Sequence, residues 1–261
     1  MIIDFHVHGK LSSSLKFYEK DFYEKIEEAK RSGLNAFALL EHSHAVNFLD
    51  GHEYLKNNYK YNDFFYDIDG FKILTGIEIT TMTNGKVDIV IIGELDTIIE
   101  IKDRAEALKN GRKYIETHEL FGLSDFSDVV MIFAHPFRVR DDLKGIAQIV
   151  FDKLDAVELN ATDIFKKGER ESRDALNKVS LATGLPITGG GDAHHSMQVG
   201  SIKNIFKTDF NSIKELKEMI RARSFTVEIA DDLQVKARAA SKIKRVIVDY
   251  MKIHNMDYPE V

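Results

Sequence analysis

Residues 1–8 read MIIDFHVH, an apolar run that ends in two histidines. Alternate residues of a strand face the same side, so Asp4, His6 and His8 are expected on one face. Two imidazoles at this spacing can bind one metal ion, and a nearby carboxylate such as Asp4 can orient a ligating ring. Two buried histidines that are hydrogen-bonded to their neighbours would produce the same pattern, so the rest of the chain has to decide between a metal site and a packed core.

Short apolar runs of the same kind recur along the chain. They predict strands near 2–7, 35–40, 71–79, 87–92, 129–134, 154–159, 185–189 and 202–206. Helical periodicity predicts helices at 17–32, 97–121, 170–183, 212–220 and 232–254, the last with Val235, Ala239, Val246 and Tyr250 on its apolar face. Strands that alternate with helices favour a parallel α/β arrangement, and this many strands are enough to close a barrel.

Length and composition are those of an ordinary globular chain. The 261 residues, 44% of them hydrophobic, predict a single barrel domain over 1–261 in which 43–70 forms a loop or lid and 230–261 a C-terminal helix packed on the barrel. The absence of cysteine excludes disulfides and thiolate metal ligands. A net charge of −6 does not favour nucleic acid as a partner. Without a secretory pattern or a membrane-length apolar run, a soluble cytoplasmic protein is expected. The oligomeric state is left open.

Groups able to bind metal ions lie beside most of the predicted strands. Those at or near the ends of strands are His42, Glu78, His135, Glu158, Asp192 and His194, whereas Asp88 lies near the start of one. In an α/β barrel the carboxyl ends of the strands converge on one face, where active sites are built. A scatter of buried core histidines would not follow strand ends in this way. The pattern therefore favours a metal site over a packed core.

Five short blocks occur in a specific order along the chain. They are DxHxH at 4–8, LEH at 40–42, GIE at 76–78, AHP at 134–136 and GGDAH at 190–194. In this order they resemble the PHP family, the polymerase and histidinol phosphatase domain, whose corresponding blocks are DxHxH, TDH, GxE, AHP and GSDAH. The resemblance covers about three quarters of the chain.

The resemblance implies a distorted TIM-like (β/α)7 barrel that binds two or three divalent ions, zinc, manganese or iron, at the carboxyl ends of its strands. By correspondence, one ion would be held by His6, His8, Glu78 and Asp192. Glu78 would bridge to a second ion that His135 also holds, and His42 and His194 would hold a third. These ligands would be oriented by three carboxylates that do not bind metal themselves, which are Asp4, Glu41 and Glu158.

The chain departs from the family pattern at three places. Family members often carry a further histidine shortly after HxH, but residues 9–14 read GKLSSS, which puts the third ion in question. In the strand after GxE a histidine is usual, and here Asp88 is the only ionisable candidate. Asp88 is therefore either a metal ligand or a carboxylate with no metal role. The aspartate of TDH is replaced by Glu41.

Such a site fits hydrolysis of a phosphate ester by a metal-activated hydroxide, because divalent ions lower the pKa of water and offset phosphate charge. Asp192 or His194 could pass a proton to the leaving oxygen, and Arg138 and Lys10 are candidates to bind the phosphate. Asn160 is a weaker candidate for a substrate contact. The expected substrate is a small phosphorylated metabolite or nucleotide.

Two other functions remain open. One is a metal-dependent hydrolase of a non-phosphate bond, and the other is a catalytically inactive PHP-type binding domain. The C-terminal helix also carries several basic residues, which are Lys236, Arg238, Lys242, Lys244 and Arg245. They could bind nucleic acid or a phosphate-rich partner, but we interpret them as the solvated face of a packed helix.

Overall fold

The computed structural model describes residues 1–123, 126–138, 143, 145–146 and 148–254. The strands are β1 (Ile2–Val7), β2 (Ala36–His42), β3 (Lys60–Asn62), β4 (Phe65–Ile68), β5 (Phe71–Met82), β6 (Lys86–Ile92), β7 (Ile115–Glu116), β8 (Val130–Ala134), β9 (Ala156–Asn160), β10 (Ile187–Gly190), β11 (Ile202–Phe206) and β12 (Phe225–Ile229). The helices are α1 (Glu19–Arg31), α2 (Asp50–Asn58), α3 (Leu95–Lys109), α4 (Thr117–Phe121), α5 (Gln148–Phe151), α6 (Ala161–Lys167), α7 (Glu169–Thr183), α8 (Ile213–Arg221) and α9 (Leu233–His254).

A nearly closed mixed barrel forms the centre of the fold. Its sheet runs in the order β10-β9-β8-β6-β5-β2-β1-β11-β12. The ring closes between β1 and the segment after β10, where Val7 and Ala193 form an isolated parallel bridge. The amide of His8 donates to the Ala193 carbonyl at 2.9 Å, and the amide of Ala193 donates to the His6 carbonyl at 3.2 Å. This closure brings the HxH motif against the GGDAH motif and confirms the distorted TIM-like barrel.

The expectation of a parallel arrangement is wrong at β6, which runs antiparallel to both β5 and β8, and at β11, which runs antiparallel to β1. Met82 of β5 pairs with Lys86 of β6 across a short turn. A connection this short can join only antiparallel strands, because a parallel crossover needs a dozen residues or more. The reversal brings the start of β6, with Asp88, to the end of the barrel at which β8 ends, since Asp88 pairs with Ala134.

The segment 43–70 is not the long irregular loop that the sequence suggested. It contains α2 and the hairpin of β3 and β4, and β4 pairs antiparallel with β5. Its aromatic residues are the reason, because Phe64 and Tyr66 are buried against the barrel. The segment therefore extends the sheet.

Three other predictions along the chain need correction. The helix predicted at 97–121 is two helices, because Asn110 and Gly111 both adopt positive φ angles and end α3. The strand β12 was not predicted, although its apolar residues alternate with polar ones over 225–229. The prediction for 230–261 extends beyond the described residues at 255–261.

The apolar face predicted for the C-terminal helix is also wrong. Val235, Val246 and Tyr250 of α9 are exposed, whereas Ala237 and Ala240 are buried. These small side chains let the helix lie close to the turn at 196–198 and to α6, which it contacts. Among the described residues, no helix has the length and apolarity needed to cross a membrane.

A buried asparagine links the strands that meet where the barrel closes. Asn204 of β11 is fully buried, and its Oδ1 accepts from the Gly189 amide at 2.7 Å. Its Nδ2 donates to the carbonyls of Gly189 at 2.8 Å and Ile3 at 3.1 Å. One side chain thus ties β10 to β1 and β11.

We expect Asn204→Ala to lower the free energy of unfolding by about 3 kcal/mol, because it leaves several buried backbone groups without partners. Urea denaturation would measure the difference. Asn58→Ala is the matched control, since the side chain of Asn58 is exposed and donates to the Tyr54 carbonyl, and it should change stability by less than about 0.5 kcal/mol. Equal unfolding midpoints for Asn204→Ala and the unmodified protein would contradict the proposed role in closure.

Candidate metal centre

His6 in β1 and His8 directly after β1 bring their rings together at the mouth of the barrel. Their Nε2 atoms lie 3.2 Å apart, and both rings are fully buried. Glu158 of β9 holds the other ring nitrogen of His6, with Oε1 2.6 Å from Nδ1. Carboxylate contact at Nδ1 fixes the orientation of an imidazole and leaves Nε2 free to ligate. The predicted supporting role of Glu158 thus has a direct contact.

Glu78 of β5 is the central carboxylate of the site. Its Oε1 lies 2.9 Å from Nε2 of His135, and its Oε2 lies 2.8 Å from Nδ1 of His42. The same Oε2 is 3.5 Å from Nε2 of His8 and 3.7 Å from Nε2 of His6. One carboxylate therefore meets four imidazoles that come from three different strand ends.

Asp192 meets the same two histidines from the other side. Its Oδ1 lies 3.3 Å from Nε2 of His8 and 3.6 Å from Nε2 of His6. Asp192 and His135 have φ angles of 50° and 32°, in the left-handed region that non-glycine residues rarely adopt. His135 follows directly after β8 and Asp192 lies two residues after β10, and such strain is concentrated at functional sites. The sharp turn aims each side chain into the mouth.

A group of three imidazoles lies beside this pair. The rings of His8 and His194 have centroids 4.0 Å apart, and those of His8 and His42 are 4.5 Å apart. His194 also approaches Asp192, with Nδ1 3.7 Å from Oδ1. The residues that the sequence predicted for a third ion therefore lie together, with His8 among them.

The ligand atoms of the described residues form three groups that could each hold a metal ion. They are His6, Glu78 and His135; His6, His8 and Asp192; and His8, His42 and His194. Donors bound to one ion at about 2.0–2.1 Å lie roughly 3–3.5 Å apart, close to the separations found here. Among the described residues, Glu78 Oε2 and His42 Nδ1 are buried without a hydrogen bond, although they are neighbours. Buried ligand atoms that have no hydrogen-bond partner fit a site for several cations.

Electrostatics keep the carboxylates of Glu78 and Asp192 ionised and the ring of His8 neutral. Burial raises the pKa of Glu78, but His42 and His135 outweigh it and hold that pKa well below its usual range. Burial likewise opposes the charge of Asp192, but Arg138 and His6 keep its pKa well below normal. Burial lowers the pKa of His8 to about 4, so its ring is neutral. Ionised carboxylates and neutral imidazoles are the forms that ligate. Burial opposes the charged form of His6, His42 and His135, but the neighbouring carboxylates raise the pKa of these rings, so metal binding there would displace a proton.

The other two predicted supporting residues act on the backbone. Asp4 accepts from the amides of His6 at 3.0 Å and Gly191 at 2.8 Å and so fixes the seam between the two motifs. Burial raises the pKa of Asp4 to about 7. Glu41 accepts from the amide of Lys10 at 3.0 Å. Neither carboxylate has a hydrogen bond to an imidazole among the described residues.

The two predicted phosphate-binding cations differ in where the structure places them. Arg138 lies at the mouth, with Nη2 2.7 Å from Asp192 Oδ2 and 2.7 Å from Asn160 Oδ1. Lys10 is buried, and its ammonium donates to the carbonyls of Val46 and Asn47. Lys10 therefore holds the chain after β2, and we withdraw its assignment to phosphate.

Two residues have a role that the sequence did not show. Asp88 Oδ2 lies 3.7 Å from Nδ1 of His135, and Asp88 belongs to none of the three groups of ligand atoms. Asp88 therefore contacts the candidate ligand His135 without belonging to a group of ligand atoms. Asn160, expected only as a substrate contact, donates from Nδ2 to Glu158 at 3.0 Å and so links Arg138 to the carboxylate behind His6. The sequence signal that could have indicated this role is the position of Asn160 at the end of the apolar strand β9.

Known structures share this fold. PsfC from Pseudomonas syringae PB-5123 matches with a TM-score of 0.69 at 17% identity, over 94% of this chain and 98% of PsfC. The lesion-specific endonuclease PfuEndoQ from Pyrococcus furiosus matches with a TM-score of 0.59 at 18% identity, over 88% of this chain and 58% of PfuEndoQ. Endonuclease Q in complex with a 27-mer duplex substrate with an abasic lesion at the active site matches with a TM-score of 0.59 at 20% identity, over 85% of this chain and 57% of its own.

This chain thus spans somewhat more than half the length of those endonucleases. No curated protein shows significant sequence similarity to the chain. Residues 174–225 match a family described as PHP-associated. The barrel fold expected from the five short motifs is therefore confirmed: the chain is a distorted TIM-like barrel that shares its fold with these structures, and residues 174–225 match the PHP-associated family.

Proposed function

We propose that the protein is a metal-dependent phosphoesterase that hydrolyses a small phosphorylated molecule. The observation that carries this proposal is the convergence of His6, His8, Glu78, His135 and Asp192 on donor separations suited to neighbouring divalent ions. Two or three such ions, zinc, manganese or iron, would lower the pKa of water and offset the charge of phosphate oxygens. The donor set of nitrogen and oxygen atoms fits each of these metals.

The residues around the ions have separate tasks in this proposal. Glu158 holds His6 in its ligating orientation. Arg138 presents a planar, permanently charged guanidinium to phosphate oxygens at the mouth. Asp192, whose pKa lies well below normal, stays ionised and ligates. Burial holds the pKa of His194 well below its usual range, so a neutral ring is available to ligate or to accept a proton.

The space beside the candidate ligands supports a small substrate. A cavity of about 550 Å³ is lined by Arg138, Asp192 and His194 and by residues of α9. Small-molecule sites typically occupy ~300–1,000 Å³. The net charge of −6 gives no general attraction for nucleic acid. A nuclease activity like that of Endonuclease Q is therefore an alternative outcome of the test below.

A phosphate-release assay tests the proposal. The protein is stripped with a chelator, reloaded with manganese, zinc or iron, and offered phosphorylated metabolites, nucleotides and short oligonucleotides. We expect metal-dependent hydrolysis of at least one small phosphate ester. Release of no phosphate from any ester, together with no shortened oligonucleotide, with every metal would overturn the proposal and favour the inactive binding domain. Shortened oligonucleotides without phosphate release would overturn it in favour of a nuclease.

We expect Arg138→Ala to raise KM for a phosphate ester about 10- to 100-fold, since a charge-assisted hydrogen bond contributes roughly 1.5–3 kcal/mol. Steady-state kinetics on the best substrate would measure it. Arg173→Ala is the control, because Arg173 pairs with Glu169 on α7 and lines a different cavity. An unchanged KM in Arg138→Ala would instead favour hydrolysis of a non-phosphate bond.

A further inference from the structure

The C-terminal helix forms part of the wall of the cavity at the metal centre. Ala237, Ala240, Lys244 and Val248 of α9 line the same space as Asp192. These positions recur every three or four residues, so they share one face of the helix. Residues distant in sequence from all five motifs thus face the site where a substrate would bind.

Lys244 stands out on this wall. It is half-buried, and it makes no hydrogen bond or ion pair with any residue that the structure describes. The other lysines buried in the described part of the chain are all satisfied: Lys10 donates to two carbonyls, Lys25 to Gly9 and Asp21, and Lys217 to Phe126 and Val129. A desolvated cation is costly unless an anion meets it.

Burial lowers the pKa of Lys244 to about 8, and the charges of Lys25 and Arg138 act in the same direction, while Asp192 opposes them. The ammonium is therefore still mostly charged at pH 7. Its charge also helps to lower the pKa of His194, which places the two groups within electrostatic range. An anion that paired with Lys244 in the cavity would lie close to the candidate metal ligands, because Asp192 and His194 line the same space.

Two more cations line the cavity. Lys166 of α6 and Arg245 of α9 are exposed at its edge, and neither has an ion pair within the described ranges. Asp249 is the carboxylate that α9 contributes to the same lining. Arg138 and Asp192 are already paired with each other, so the rest of the lining carries an excess of positive charge.

We propose that Lys244, with Lys166 and Arg245 at the edge, binds a second anionic group of the substrate. The substrate would then be a small phosphate ester that carries a further phosphate or carboxylate. The phosphoester would face Arg138 and the metal ligands, and the carbon skeleton would lie along Phe165 and the alanines of α9. This inference rests on the proposed function, because it names the substrate class of the same site.

Three probes with the same three-carbon skeleton test the inference: glycerol 3-phosphate, 3-phosphoglycerate and glycerol 1,3-bisphosphate. We expect Lys244→Met to raise KM for the two-anion probes at least about ten times more than for glycerol 3-phosphate. Lys244→Arg should restore part of the loss. The larger of the two effects would tell whether the second anion is a carboxylate or a phosphate.

Lys242→Met is the matched control, because Lys242 is exposed on α9 and does not line the cavity. Its kinetics should equal those of the unmodified protein. Equal increases of KM for all three probes in Lys244→Met would overturn the inference while leaving the phosphoesterase intact.

A binding measurement separates the two proposals if no phosphate ester is hydrolysed. Methylenediphosphonate carries two linked anions and cannot be hydrolysed at a phosphoester bond. Calorimetry on the metal-loaded protein should show at least about tenfold weaker binding of methylenediphosphonate to Lys244→Met than to Lys242→Met. Absence of turnover together with this difference would refute the catalytic proposal alone, and equal affinities would refute the role of Lys244.

Discussion

Replacing Glu78 by glutamine should remove most of the metal affinity and lower kcat/KM at least about a thousandfold. Divalent ions contribute several kcal/mol of transition-state stabilisation, and ~4 kcal/mol corresponds to that factor. If four ligands share roughly 10–16 kcal/mol of binding free energy, the loss of one weakens metal binding about a hundredfold or more. Glu78 is a stronger case than an average ligand because its two oxygens face His42, His8, His6 and His135.

Metal content by mass spectrometry and zinc affinity by calorimetry would measure the effect of Glu78→Gln. Glu41→Gln is the matched control, since Glu41 is equally buried and precedes His42, yet its hydrogen bond is to the amide of Lys10. We expect the control to keep its metal. Full metal content in Glu78→Gln would mean that the convergence of imidazoles on this carboxylate is a packing arrangement rather than a metal site.

Much of the barrel could be predicted because strands leave a local signal. The predicted starts of the eight strands lie within two residues of the observed ones, as for β1 and β11. The run of apolar, β-branched residues that makes such a strand is continuous in sequence. The site followed from the same signal, since residues placed at strand ends meet wherever the sheet closes.

Features that depend on distant parts of the chain were not predictable in this way. The sequence favoured Lys10 over Lys244 as a phosphate-binding lysine because Lys10 follows the HxH motif. Packing decides otherwise: the chain after β2 wraps over Lys10 and supplies two carbonyls, whereas α9 carries Lys244 into the mouth. No local pattern tells which face of α9 meets the barrel, because apolar residues occur on both faces: Val235 and Val246 are exposed, whereas Met251 is buried.

The carboxylate that orients the ring of His6 could not be predicted from sequence spacing either. Asp4 is two residues from His6 and was the obvious partner for its ring, but it accepts backbone amides instead. The ring is held by Glu158, which is 152 positions away. In a strand, a side chain two residues away lies alongside on the same face, whereas a strand elsewhere in the barrel can present its carboxylate end-on. Sequence distance is therefore a poor guide to which carboxylate orients a ligand.

Gly190→Ala should disable the site without replacing any of the candidate ligands. A methyl group at position 190 would overlap Oε1 of Glu158 and lie 2.6 Å from its Cδ and 2.9 Å from Cβ of His6. Glu158 would have to leave His6, and loss of such an orienting partner weakens metal binding about 10- to 100-fold. Overpacking should also cost about 1–3 kcal/mol of stability.

Two measurements separate the consequences of Gly190→Ala from a general loss of structure. Zinc calorimetry reports the orientation of His6, and denaturation of the metal-free protein reports the overpacking. Gly122→Ala is the matched control, because its methyl group would meet nothing closer than 3.5 Å. Glu158→Gln, which keeps the volume but weakens the contact with His6, should reproduce the loss of affinity with a smaller loss of stability, because it introduces no overpacking. If Gly190→Ala instead bound zinc as tightly as the unmodified protein, the contact of Glu158 with His6 would have no part in forming the metal centre.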